Sequence, residues 1–299
     1  MISQNAWILS SVILAVVVAF DFTWAVLRRN QNTSLKEATV WSLFYTSLAI
    51  GFGVYLGSWT NAQTQQEFFA GWLTEYSLSF DNLFVFVIIL TRLKIEEKSK
   101  QLALLLGILI ALVFRIIAIT IGAAAIKQFE WIFFLFGAFL IYTAIHLFLE
   151  SSHENDAQER ESRLISYLSA KGMKPFTIAL IALGATDILF ALDSIPAIFG
   201  LTENVYVVVT ANIFALMGLR QLYFLIGGLM QRLVYIGKGL SVILGFIGIK
   251  LLFHAFHAVD IHKIGGFKIP EITITQSLTV IVSCLAVATI ASLAKTSRK

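Results

Sequence analysis

Apolar residues fall along the chain in long blocks, with the polar positions crowded between them. Nine runs are long enough to cross a bilayer core, which needs roughly 20 apolar residues per helix. They lie at about 6–27, 38–59, 68–91, 102–126, 131–149, 175–201, 205–230, 236–256 and 273–294. The pattern predicts an all-α, polytopic membrane protein of nine transmembrane helices, built as one membrane domain over 1–299. The first run is expected to be a retained span. A cleavable signal peptide carries its basic residues before the apolar stretch, whereas here Met1–Ala6 has none and Arg28 and Arg29 follow it.

Composition agrees with lipid as the main solvent. Hydrophobic residues make up 58% of the chain and charged residues 13%, against roughly 45–50% and about 25% in ordinary globular domains. Mean hydropathy is +0.82. A water-soluble fold of 299 residues needs far more charge to cover its surface, so a soluble enzyme, a nucleic-acid-binding module and a disordered chain are excluded. A single cysteine, Cys284, rules out an intramolecular disulfide and a thiolate metal cluster.

The basic residues orient the chain. Sixteen of the 22 Lys and Arg fall in 28–37, 92–101, 150–174, 231–239 and the C-terminal tail. Only Lys127, Lys263 and Lys268 fall in the alternate set of connections, and Arg115, Arg220 and Lys250 lie inside spans. Basic loops stay cytoplasmic, so the N-terminus is expected outside and the C-terminus inside. The net charge of +4 reports those loops and calls for no nucleic-acid partner. The hydrophilic stretch 150–174 reads as a cytoplasmic linker.

The polar residues inside the spans repeat. Glu75 and Asp81, followed by Asn82, are matched by Asp187 and Asp193, followed by Ser194. Arg115 and Gly122 are matched by Arg220 and Gly227, and Gly137 and His146 by Gly245 and His254. Two three-helix units, 68–149 and 175–256, are therefore expected on either side of the linker. An odd number of spans makes them inverted repeats, an architecture of secondary transporters with the binding site near the midplane.

Four intramembrane acids are costly: a central Asp is charged about 2.5–3.5 kcal/mol on insertion scales. Two readings account for them. One is an ion-pair network with Arg115, Arg220 and Lys250; the other is a cation site. For the site, the expected ligands are Glu75, Asp81, Asn82, Asp187, Asp193 and Ser194, with Thr186 and Asn212 nearby. An oxygen-rich set of this kind suits hard divalent cations such as Mg²⁺, Ca²⁺ and Mn²⁺. His146 and His254 sit toward span ends and are expected to pack rather than ligate, and Asp21 is expected to pair with Arg28 and Arg29. Residues i and i+6 lie about 120° apart on a regular helix. Each acid pair therefore implies either a wide site or a broken helix, with Pro196 a candidate break and Ser77 and Ser79 a weaker one. On these spans Asp81 and Asp187 lie nearest the middle, with Glu75 and Asp193 toward the outer half.

The stretch from Glu75 through Asp81 and Asn82 to Phe86, and that from Thr186 through Asp193, Ser194 and Pro196 to Phe199, resemble the two signature motifs of the TerC/Alx family. The run from Asn212 to Phe224 is similar to that family's seventh span. The resemblance covers roughly 65–260. It implies a multi-pass protein of the bacterial inner membrane connected with metal-ion homeostasis, chiefly manganese export; the family name comes from tellurium resistance. Its intramembrane acids carry over to Glu75, Asp81, Asp187 and Asp193.

The leading expectation is thus a Mn²⁺ exporter working by alternating access. Mn²⁺ is cargo rather than a tightly bound cofactor. Protons are natural counter-ions, since acids that release a dication in a dry site must stay neutralised. The alternative is a metal-handling partner of the secretion machinery that metalates exported proteins. An intramembrane aspartyl protease is disfavoured, because Gly184-Ala-Thr-Asp187 replaces the expected Gly-x-Gly-Asp. No Walker A sequence is present, and no enzymatic activity is expected. Reporter fusions after residue 160 should behave as cytoplasmic and those after Glu203 as external. An external reporter at 160 would sink this topology.

Overall fold

The computed structural model describes residues 34–129, 131–149, 163–229, 233–264 and 267–296, with scattered positions between 12 and 27. Within its helices the side chains at 81, 84, 97, 98, 220 and 226–229 lie outside that description. The fold is all-α. Its helices are α1 (Leu35–Trp59), α2 (Ala62–Arg92), α3 (Glu97–Gln128), α4 (Ile132–Leu149), α5 (Pro175–Phe199), α6 (Val205–Leu229), α7 (Ile236–Ala258) and α8 (Ile274–Thr296). Among the described residues, these eight are long and apolar enough to cross a membrane. They match the last eight expected spans. The first, 6–27, falls largely outside the described residues, although 12, 14–17, 19, 20, 23 and 27 are helical. Asp21 and most of the linker, 150–162, are also outside them; 163–170 forms a short helix.

Local chemistry explains where the helices begin. Asn61 caps α2, its side chain accepting from the Thr64 amide at 2.8 Å, and Ser34 caps α1 through Glu37. Such caps satisfy amides that no preceding turn can reach. The cap starts α2 six residues before the apolar run, so the polar stretch Gln63 to Glu67 is helical. At 31 residues and 1.5 Å per residue, α2 is about 46 Å long. Its midpoint moves toward Glu75, so this acid lies at mid-height rather than toward one end. α5 opens with Pro175 in its first turn, where a missing N–H costs nothing.

The helices pair in a regular way. α4 packs most extensively on α7, followed by α2 on α6 and α3 on α5. α2 also meets α5, α3 meets α6, α4 meets α5, and α2 meets α7. Exchanging α2, α3 and α4 for α5, α6 and α7 leaves this pattern unchanged. α1 covers α6 and α2, while α8 lies on α7 and α2. A two-residue hairpin pairs β1 (Lys263–Ile264) with β2 (Phe267–Lys268) in the α7–α8 connection.

Glycine permits a close backbone contact between α4 and α7. A Cβ on Gly137 would stand 2.9 Å from the Gly248 carbonyl oxygen and from Leu252, and one on Gly248 would stand 3.0 Å from the Gly137 carbonyl. Small residues that let backbones approach are a main source of helix association in lipid, where apolar burial drives little. The Gly137–Leu252 approach has a partner in Gly245–Ala144, related by the same shift of 108 residues that carries His146 to His254.

The interior holds two apolar clusters, one above the other. One takes Phe68, Trp72, Ile119, Ile195, Val208 and Phe214; the other takes Leu83, Phe86, Leu104, Ala182, Leu183 and Leu219. Between them runs a polar layer at mid-height. Outward faces carry exposed Val113, Ile117, Ile121, Val282, Val287 and Ile290, as lipid contact requires.

Gly248→Val should force α4 and α7 apart and cost about 1–3 kcal/mol through overpacking. Gly51→Ala, where a Cβ would meet nothing within 4 Å, should be neutral or slightly stabilising. Melting temperatures of the purified variants in detergent test both.

Candidate functional site

The polar layer is built around one side chain. Asp187 stands at the middle of α5, Glu75 near the middle of α2, and Arg115 enters between them from α3. All three are almost wholly buried, at 2%, 1% and 0% exposure. Nε and Nη2 of Arg115 donate to Oδ2 and Oδ1 of Asp187, each at 3.1 Å. Nη1 pairs with Oε1 of Glu75 and donates to Oδ1 of Asn212 at 3.1 Å and Oγ of Ser194 at 3.4 Å. Ser79 adds a hydroxyl bond to Glu75 Oε1 at 3.4 Å. Asn212 is oriented by donating to the Val208 carbonyl at 3.2 Å.

A guanidinium suits this place because its planar fork matches carboxylate geometry and it never gives up its charge. It draws together two acids from facing helices that would otherwise repel in a dry interior. Four helices, α2, α3, α5 and α6, are tied at one point. Oε2 of Glu75 is buried and has no hydrogen-bond partner among the described residues.

The six expected ligands divide. Glu75, Asp187 and Ser194 meet in the cluster, with Asn212. Asp193 accepts from Thr143 of α4 at 3.1 Å and is turned away from Arg115. Asn82 is buried on α2 and contributes no hydrogen bond to the cluster. The side chains of Asp81 and Arg220 lie outside the described residues. Among the described residues no three His, Cys, Asp or Glu side chains come together. Asp187 and Asp193 reach different neighbours as their six-residue spacing requires, and α2 and α5 both run unbroken. The expected break at Pro196 does not occur: this proline sits in the last turn of α5, and its carbonyl accepts from the Gly200 amide.

A second charged group, Glu67, Glu203, Lys250 and His254, lies nearer the end of the bundle that carries the α1–α2, α5–α6 and α7–α8 connections. Glu67 accepts from Thr202 at 2.6 Å and interacts electrostatically with Lys250. Glu203 pairs with His254 at 3.2 Å, a bond that holds its carboxyl below the usual carboxylate range. His254 also packs edge-on against Phe133, and His146 stacks on Tyr142. Neither histidine reaches the Arg115 cluster. Thr143 is a site neighbour that the sequence pattern does not single out; its signal is a small hydroxyl residue three positions before His146 in a mostly apolar helix.

Residues 60–299 match the family model described as the integral membrane protein TerC family. The chain belongs to the TerC family. Its similarity extends to an uncharacterised membrane protein of Mycobacterium tuberculosis, 41% identical over 97% of this chain and 79% of the relative. A Myxococcus xanthus membrane protein is 36% identical over 90% and 86% of the two chains. A putative membrane-bound redox modulator, Alx, of Photorhabdus laumondii is 32% identical over 93% and 95%. No solved structure matches. All the cluster residues of this TerC-family chain fall within the matched region.

Arg115→Leu strands two buried carboxylates and should lower stability by on the order of 3–5 kcal/mol. Adding Glu75→Gln and Asp187→Asn should recover most of the loss. The check is the melting temperature of single and triple variants in detergent; an Arg115→Leu protein that melts like the parent contradicts the assignment.

Proposed function

We propose that this multi-pass TerC-family protein is a divalent metal-ion transporter exporting Mn²⁺ by alternating access, with Glu75 and Asp187 as the carboxylates that hold the ion. The observation that carries this reading is the pairing of these two acids at mid-height. They are the first acids of the two sequence motifs, stand on facing helices, and have the hard oxygens of Ser194 and Asn212 in the same Arg115 cluster. Hard oxygen sets select ions of the Mg²⁺, Ca²⁺ and Mn²⁺ class. The apolar clusters above and below the layer are suited to serve as the two seals that alternating access opens in turn. Helix pairings preserved on exchanging α2–α4 with α5–α7 support two inverted units, in which a rocking of one against the other moves the seals. Asp81 and Asp193, the second acids of each motif, are assigned to the ion's path beside the central pair.

The name of the Photorhabdus relative points to redox modulation. One cysteine supplies no intramolecular dithiol couple for such chemistry. Metal delivery to the secretion machinery remains the competing role, and it predicts no flux from the isolated protein.

The test is Mn²⁺ movement in proteoliposomes containing the purified protein alone, run beside Mg²⁺, Ca²⁺ and Zn²⁺. Mn²⁺ flux is expected, with Glu75→Gln and Asp187→Asn each reducing it at least about tenfold, since loss of even an outer-shell partner of a metal ligand costs about that much. Asp193→Asn should keep a measurable part. Flux of another divalent ion in place of Mn²⁺ would reassign the substrate.

A further inference from the structure

The Arg115 bonds leave little for an incoming ion. Of the four carboxylate oxygens of Glu75 and Asp187, three are held by the guanidinium: Oδ1 and Oδ2 of Asp187 and Oε1 of Glu75. Only Oε2 of Glu75 is without a partner among the described residues, although buried. The amide oxygen of Asn212 and the hydroxyl of Ser194 are also engaged by Nη1. A hard dication draws several oxygens to roughly 2.1–2.5 Å, and one free oxygen is not a site. The guanidinium and the dication therefore compete for the same atoms.

Building on the transport reading above, we propose that Arg115 is a tethered cation that closes the Glu75–Asp187 site when it is empty and is displaced by each transported ion. An empty carrier must return across the membrane to start the next cycle. With two bare carboxylates in the dry layer that return would be opposed by desolvation and mutual repulsion. Arg115 removes most of that barrier without leaving the protein. It replaces one of the two protons the acids would otherwise need, so coupling to more than one proton per ion is unnecessary. Ion binding then includes the work of breaking a bidentate, charge-assisted fork. Apparent affinity is reduced by the fraction of time the site is free of the guanidinium, which favours release.

Two fluxes separate this role from a scaffold. Net Mn²⁺ transport requires the empty carrier to return, whereas exchange of labelled for unlabelled Mn²⁺ at equal concentrations requires only the loaded one. In proteoliposomes, Arg115→Gln should lose net flux while exchange persists. Direct Mn²⁺ binding should tighten about tenfold, the factor expected if one site in ten is free of the guanidinium at any instant. Arg115→Lys keeps a cation between the acids but loses the fork. It should bind Mn²⁺ more tightly than the parent and retain net flux, and it decides the matter if the Gln variant does not accumulate. Unchanged Mn²⁺ affinity in the folded variants, or equal loss of exchange and net flux in stable protein, would overturn the proposal. A parent protein that carries another divalent ion and no Mn²⁺ sinks the manganese reading, and the same two fluxes of that ion then decide on Arg115.

Discussion

A single buried guanidinium holds the centre of this membrane protein together. In water the Arg115–Asp187–Glu75 contact would be worth little, because solvent screens each charge and competes for each hydrogen bond. Between two apolar clusters with no water to substitute, each acid depends on the arginine, and the arginine depends on both. Four helices meet at that point, and their relative heights follow from it. Slide α5 by one turn and Asp187 leaves the fork, placing a bare charge against Phe or Leu.

The same contact explains why the layer is suited to movement. Packing in lipid draws on close backbone approach rather than on expelled water, and the closest approach of a glycine to another helix's backbone, Gly137 against Gly248, lies between α4 and α7. These helices contribute nothing to the guanidinium cluster. The α2, α3, α5 and α6 group has, between its two apolar clusters, a layer of polar bonds that can be exchanged for bonds to an ion. A scaffold pair fastened by shape and a central group fastened by charge is a division of labour compatible with a carrier, since exchanging the central bonds need not disturb the glycine contact.

Much of this was legible along the chain. The eight described helices match runs of apolar residues, because a bilayer demands length and hydrophobicity that no neighbouring helix can supply. The importance of Glu75, Asp187 and Arg115 was legible too, since charge in such a run stands out against its cost. Helix starts were less so: Asn61 extends α2 through a polar stretch that hydropathy discounts, and that shift moved Glu75 to mid-height. The expected bend at Pro196 rested on a local rule that the end of α5 makes inexpensive.

Which acids belong together was decided only in three dimensions. From spacing alone, ion pairing and ion binding are alternatives, and Asp81 and Asp187 are the acids nearest the middle of their spans. The structure turns Asp193 toward Thr143 and gives Asp187 and Glu75 a shared arginine from a helix remote in sequence. Sequence by itself determined that these charges lie in the membrane, because burial there depends on the residues of one span and the lipid around it. Their partners depended on the rotation and height of each helix against three others. Those are set by side-chain packing between segments distant along the chain, which no single span encodes.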